Sequence, residues 1–282
     1  MNHRTAMGAL HIGALFFGLS GVFGKLASAS AVVIVMGRAA FAVLALVGFV
    51  GLARRGWHRL ERQDWARLLL AGGLLAGHWV TFFMAVKVAG VAVATLGFAS
   101  FPAFTVLLES LVFRERIRRN EIILVALVSM GLILVTPTFD LASQATSGLL
   151  WAIFSGLTFA VLSLVNRASG KRVPPVQAAL CQNATVVLCL MPWAWPQLAT
   201  VSAMDWLWIG LLGVFCTGVA HSLFVASLAV IKARTAAVVF ALEPVYGIAF
   251  AWMIFSEVPS MRMLAGGVLI VVAIVLSSRK TA

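Results

Sequence analysis

The sequence predicts an all-helical integral membrane protein with ten transmembrane helices. They are expected to form two inverted five-helix repeats with both termini cytoplasmic. Three observations predict it. Hydrophobic residues make up 62% of the 282 residues and charged residues 11%, against roughly 45–50% and about 25% in a soluble domain. Mean hydropathy is +1.05, and the apolar residues fall into runs of spanning length. One pattern also occurs twice: Phe98, Pro102, Phe104 and Glu115 recur as Phe240, Pro244, Tyr246 and Glu257, and Phe82 as Phe224, each pair 142 residues apart.

About 20 apolar residues cross a bilayer core roughly 30 Å thick, and charge or Gly/Pro signals bound each run. Helix 1 is expected over 8–27, between Arg4 and the connection after Lys25. Helix 2 covers 31–53 and stops at Arg54-Arg55. Helix 3, 67–87, lies between Arg67 and Lys87. Helix 4, 91–113, carries Pro102 at its middle and ends at Arg114. Helix 5, 121–136, follows Arg118-Arg119 and is the shortest. Helix 6, 148–168, ends before Lys171-Arg172, and helix 7 takes 176–195. Helix 8, 206–230, ends before Lys232. Helix 9, 234–255, starts at Arg234 and carries Pro244, and helix 10, 260–278, ends at Arg279-Lys280. The first run is expected to stay as a helix: it resembles a signal peptide only in its start and has no convincing cleavage site.

All Lys and Arg residues except Lys25, Lys87, Arg262 and Arg38 fall in the tails or in the connections after helices 2, 4, 6 and 8. Basic residues concentrate on the cytoplasmic side, so both termini are expected inside. Five spans per half is odd, which turns the second half upside down relative to the first. The net charge of +12 resides in these short connections, so no nucleic-acid partner is expected. Cys181, Cys189 and Cys216 lie in apolar runs without metal-ligand spacing; neither metal nor cofactor is expected.

The start of each half repeats as well. Ala14, Phe16, Gly18, Leu19 and Ser20 correspond to Ala152, Phe154, Gly156, Leu157 and Thr158, 138 residues apart. With the Pro-centred fourth helix ending near Glu115 or Glu257, and a following Gly-containing helix (Gly131; Gly266, Gly267), the chain resembles the EamA-type branch of the drug/metabolite transporter superfamily. The halves are then 1–140 and 141–282. One position departs from the symmetry: Phe101 precedes Pro102, whereas Glu243 precedes Pro244. The resemblance implies export or exchange of small metabolites, often amino acids, across the bacterial inner membrane. Helices 1–4 and 6–9 would line a central cavity, with helices 5 and 10 behind. Within the branch, the aromatic supply looks most like that of the aromatic-amino-acid exporters.

Broken helices at matched positions of two halves point to a transporter's binding site. A proline within a helix frees the carbonyl four residues earlier, here those of Phe98 and Phe240. Each proline lies about 15–16 Å along its helix, near the bilayer centre. Pro102 and Pro244 are therefore hinge candidates; an ordinary kink is the competing reading. Glu243 lies about 14 Å along helix 9, where an acidic side chain is costly. It could bind a substrate ammonium group, accept a proton, or pair structurally. Arg38, about 10 Å into helix 2, could receive a substrate carboxylate or snorkel to the surface.

His78 and His221, on helices 3 and 8, could bond substrate, carry a proton, or be buried structural groups. Gln182 and Asn183, on helix 7, either tie helices together or line the cavity. Trp79 and Phe82, Phe98 and Phe101, and Phe240 and Tyr246 supply aromatic faces for a flat apolar group, or plain packing. Trp57, Trp65, Trp206 and Trp208 read as interfacial anchors. Gly73-x-x-x-Gly77 and the series Gly18, Gly21, Gly24 read as close-packing surfaces.

The expected partners are a small-molecule substrate such as an amino acid, the lipid bilayer, and protons, with the chain a monomer or weak homodimer. Other readings remain open at this level. Another solute such as a drug or nucleotide metabolite is one, and a channel another, although no filter motif is present. An intramembrane serine protease using Ser20, within Gly18-Leu19-Ser20-Gly21, and His221 is a third. Gly18 and Ser20 are echoed by Gly156 and Thr158, which packing requires and a single nucleophile does not.

Overall fold

The computed structural model describes residues 2–52, 58–114, 116–136, 140, 142–169, 173–220, 223, 227, 239 and 242–279. Within them the chain is helical throughout, without strands. The helices are α1 (His3–Leu26), α2 (Ala31–Leu52), α3 (Arg62–Phe98), α4 (Phe101–Phe113), α5 (Arg119–Val135), α6 (Gln144–Ser169), α7 (Pro175–Ala194), α8 (Ala203–Gly213), α9 (Glu243–Phe255) and α10 (Met261–Arg279). A 3₁₀ turn, Trp195–Thr200, follows α7, and a π-helical turn, Val214–Val219, continues α8. Five stretches are long and apolar enough to cross a membrane: His3–Leu26, Ala31–Leu52, Arg62–Phe98, Gln144–Asn166 and Val176–Thr200. Large side chains such as Leu52, Leu111, Met253 and Met261 stand exposed on the outer surface, as lipid contact requires.

Several helices begin before their apolar runs because polar residues cap them. The Asn2 carboxamide oxygen accepts from the Thr5 backbone N–H and hydroxyl, both at 2.8 Å. Asp64 Oδ2 accepts the Glu61 N–H at 3.1 Å in a reciprocal capping arrangement. Caps of this kind satisfy orphan N–H groups outside the hydrophobic segment.

Backbone breaks matter more for function. Within α3 the chain leaves helical geometry at Gly90 (φ 83°, ψ 171°), a conformation open essentially to glycine. A second break, at Ala99–Ser100, separates α3 from α4, where Pro102 is the second residue. Pro244 has the same place in α9. This corrects the expectation of prolines at mid-helix: each lies in the first turn of a new helix. There the missing N–H costs nothing and the fixed φ is already helical.

Glycines set the crossings. A Cβ on Gly18 of α1 would lie 2.7 Å from Tyr246 Cβ and 3.2 Å from the Glu243 carbonyl oxygen. One on Gly156 of α6 would lie 2.7 Å from Ser100 Oγ and 3.1 Å from the Phe98 carbonyl oxygen. These repeat-equivalent glycines thus each press against the start of a Pro-opened helix supplied by the other half of the sequence. Gly21 and Gly24 similarly meet Val91 and Phe83. By contrast, a Cβ on Gly73 or Gly77 meets nothing within 4 Å, so that pair is not a contact within this chain. Gly72 has that role instead, against Thr185 and the Gln182 carbonyl of α7.

The main core joins α2, α3 and α8 around Val33, Ile34, Phe83, Ile209 and Leu212. Helices α5 and α10 form a separate packed pair, with Gly131 against the Gly266 carbonyl and Ile270. Trp65 is exposed. Trp206 and Trp208 instead pack inward, on Phe41 (6.3 Å) and Phe23 (6.0 Å); neighbouring aromatic surface wins over the interface. Trp57 lies outside the described residues.

Candidate functional site

Arg38 is the eighth residue of α2, and only 3% of it is exposed. It does not snorkel. Its Nε–H and Nη2–H both donate to Thr217 Oγ1, at 3.1 and 2.8 Å. The guanidinium carbon lies 4.1 Å from the Trp79 ring centroid and 5.4 Å from that of Phe83. Stacking on one face and hydrogen bonding along one edge hold its plane. Thr217 belongs to the π-helical turn, and its hydroxyl donates to the Leu212 carbonyl at 3.2 Å.

Glu243 opens α9 beside the Gly18 crossing. It is enclosed deep in the bundle, yet part of its surface stays accessible. Both hold for a side chain that lines an internal space. No ion-pair contact within 4 Å links Glu243 to Arg38 among the described residues.

Beside them is an aromatic cluster. His78 packs against Phe159 (4.8 Å between centroids), Phe98 (5.0 Å) and Phe82 (6.5 Å). Phe101 stacks on Phe98 at 5.2 Å and meets Phe159 edge-on at 5.1 Å. Ser155, fully buried, donates its hydroxyl to the His78 carbonyl at 2.9 Å. The same oxygen lies 2.8 Å from His78 Nδ1. With its proton committed, it accepts from Nδ1–H, which fixes the tautomer and leaves Nε2 as an acceptor.

The structure therefore brings together Arg38 with Trp79, and His78 with Phe82, Phe98 and Phe101. Tyr246 packs instead with Met7, Leu10 and Val239 at the α1–α9 contact. Gln182 donates to Asn166 of α6 at 2.8 Å, a helix-tying bond. Asn183 donates to the Ala179 carbonyl of its own helix, and its buried Oδ1 has no partner among the described residues. His221, Phe224, Phe240 and Glu115 lie outside the described residues, as do Arg54, Arg55, Lys171, Arg172, Lys232, Arg234 and Lys280 of the topology argument. Ser20 is buried on α1. Thr217, Ser155, Phe83 and Phe159 are site residues that sequence reasoning missed.

The family model for EamA-like transporters matches this chain twice, over residues 4–136 and 146–279. The chain belongs to the EamA-like transporter family. As an EamA-like protein it is a multi-pass membrane transporter of the drug/metabolite transporter superfamily. It is 30% identical over 220 residues to the pseudopaline exporter CntI of Pseudomonas aeruginosa, covering 75% of this chain and 74% of that one. It is 24% identical to the uncharacterized transporter YxxF of Bacillus subtilis, over 72% of this chain and 66% of the relative. An uncharacterized transporter of Archaeoglobus fulgidus is 24% identical, over 74% and 76%. A solved crystal structure shares the fold with a TM-score of 0.67 and 21% identity, covering 98% of this chain and 96% of its own.

Proposed function

We propose that this EamA-like protein is a secondary carrier that exports or exchanges a small amphipathic metabolite across the bacterial inner membrane by alternating access. The cargo has a carboxylate, an ammonium group and a flat apolar side chain, the chemistry of an aromatic or other hydrophobic amino acid. The observation that carries the reading is the buried Arg38 guanidinium, held over Trp79 beside the His78 aromatic cluster. Arg38 would receive the carboxylate, because a guanidinium matches it bidentately. Glu243 would receive the ammonium group, and Phe98, Phe101 and Trp79 the side chain. Pro102 and Pro244 would act as hinges.

The topology proposed is ten spans in two inverted halves, 1–140 and 141–282, with both termini cytoplasmic. The reciprocal crossings at Gly18 and Gly156 support it, because each half supplies the break that the other half's glycine receives. The kinship with a pseudopaline exporter supports export as the direction. Purified protein in liposomes preloaded with unlabelled amino acids would test the function. Saturable counterflow of labelled phenylalanine or tryptophan is expected. Uptake without saturation or trans-stimulation would overturn the carrier reading.

A further inference from the structure

We propose that Thr217 is a built-in competitor for the cargo: its hydroxyl occupies the carboxylate-binding edge of Arg38 in the empty carrier, and the cargo's carboxylate displaces it. This rests on the reading of Arg38 given above and names how the site is regulated from within.

The Nε–Nη2 edge is one of the guanidinium forks that pair with two carboxylate oxygens in parallel. Here both N–H groups of that edge converge on a single neutral oxygen, Thr217 Oγ1, at 3.1 and 2.8 Å. A hydroxyl satisfies the two donors less well than a carboxylate, which offers one charged oxygen to each. Thr217 has no capacity to spare, since its proton goes to the Leu212 carbonyl. That bond spans five residues because the segment from Val214 is π-helical, and single π turns frequently mark functional positions in helices. Trp79 and Phe83 meanwhile hold the guanidinium plane in place. The arrangement is a preorganised receptor closed by a weak internal ligand.

A carrier gains from such a ligand. An intramolecular competitor lowers apparent affinity by the fraction of time the edge is free, so cargo leaves on the far side. When it leaves, Thr217 takes back the two donors, and Arg38 is not stranded as an unpaired buried charge, which would be strongly destabilising.

Thr217→Val, Thr217→Ser and Arg38→Lys would be compared with the unmodified protein in proteoliposomes by labelled L-phenylalanine counterflow, with L-phenylalaninamide as an inhibitor. Thr217→Val is expected to lower the half-saturation concentration for phenylalanine about tenfold, the size of a lost hydrogen bond to a charged group. Turnover should fall as release slows. Inhibition by the amide, which brings no carboxylate, should not change. Thr217→Ser keeps the hydroxyl and should match the unmodified protein. Should the valine variant fail to fold, Thr217→Cys, a weaker acceptor of similar size, must shift half-saturation in the same direction. An unchanged or raised half-saturation in these variants, with carboxylate preference still lost in Arg38→Lys, overturns the competitor and leaves the site reading standing. Absent phenylalanine transport, or undiminished carboxylate preference in Arg38→Lys, overturns the site reading and this inference with it.

Discussion

Lys25, in the last turn of α1, is ion-paired with Glu257, just beyond the end of α9. The pair is braced on both sides. Lys25 Nζ lies 4.7 Å from the Phe255 ring centroid, and a Cβ on Gly90 would come within 2.9 Å of the Glu257 carboxylate. The ends of α1 and α9 and the Gly90 break of α3 thus meet at one end of the bundle, the end that the proposed topology places outside. A partly exposed pair contributes only about 0.2–1 kcal/mol. Lys25→Gln or Glu257→Gln should therefore barely move the melting temperature. The same energy can shift an open–closed equilibrium up to about fivefold if the pair exists in only one state. The expected outcome is faster labelling of a cysteine introduced at Tyr246 by an impermeant thiol reagent, in a background lacking Cys181, Cys189 and Cys216. The charge swap Lys25→Glu with Glu257→Lys should restore the original rate. Equal labelling in all variants would exclude a closing role.

The two Pro-opened helices were legible as a pair because their residues recur at one spacing, although the prolines start helices rather than interrupt them. Helix ends were less so, because Asn2 and the Glu61–Asp64 arrangement extend helices into polar sequence that hydrophobicity leaves out. The site was half legible. Arg38 and Glu243 stand out because a charge in an apolar run is costly. Thr217, Ser155 and Phe159 do not, since their repeat-equivalent positions hold Leu75, Phe17 and Gly21. Asymmetric partners leave no trace in a symmetry argument, and a buried serine or threonine is unremarkable in a membrane helix.

The Gly156 crossing predicts a contrast between glycines. Gly156→Ala places a methyl 2.7 Å from Ser100 Oγ and 3.1 Å from the Phe98 carbonyl oxygen, so α6 must move away from the break. Overpacking of this kind costs about 1–3 kcal/mol. Gly77→Ala meets nothing within 4 Å and should stabilise its helix by about 0.5–1 kcal/mol. Thermal unfolding of the two variants in detergent should move in opposite directions. A neutral Gly156→Ala would mean that the crossing is looser than its geometry.

Ser155 and His78 form a reciprocal pair, so their substitutions should not add. Ser155→Ala removes the hydroxyl that bonds both Nδ1 and the His78 carbonyl, at about 0.5–1.5 kcal/mol per lost bond, because Nδ1 keeps the Ser155 carbonyl at 3.2 Å and the His78 carbonyl keeps the Thr81 hydroxyl at 3.0 Å. Adding His78→Phe removes the imidazole but not the backbone carbonyl, so the lost Nδ1 bond is not counted twice and the double variant should be less destabilised than the sum of the singles. A double variant as unstable as the sum of the singles would show that the pair is not a unit.

Glu243 offers a test of whether protons drive the proposed carrier. It is the first residue of α9, is half-buried, and lacks an ion-pair contact with Arg38 among the described residues. A carboxyl so placed can hold either a proton or a cargo ammonium group, but not both at once. If the two alternate, protons and cargo travel in opposite directions. Uptake into liposomes should then be faster when the lumen is the more acidic side, with the membrane potential clamped. Glu243→Gln cannot exchange a proton, so its residual flux should not respond to the gradient. Counterflow at equal pH should survive in that variant more weakly, because the amide still accepts a hydrogen bond from an ammonium group without matching its charge. An unmodified carrier that ignores the gradient would remove the proton from the cycle and leave Glu243 as a cargo ligand alone.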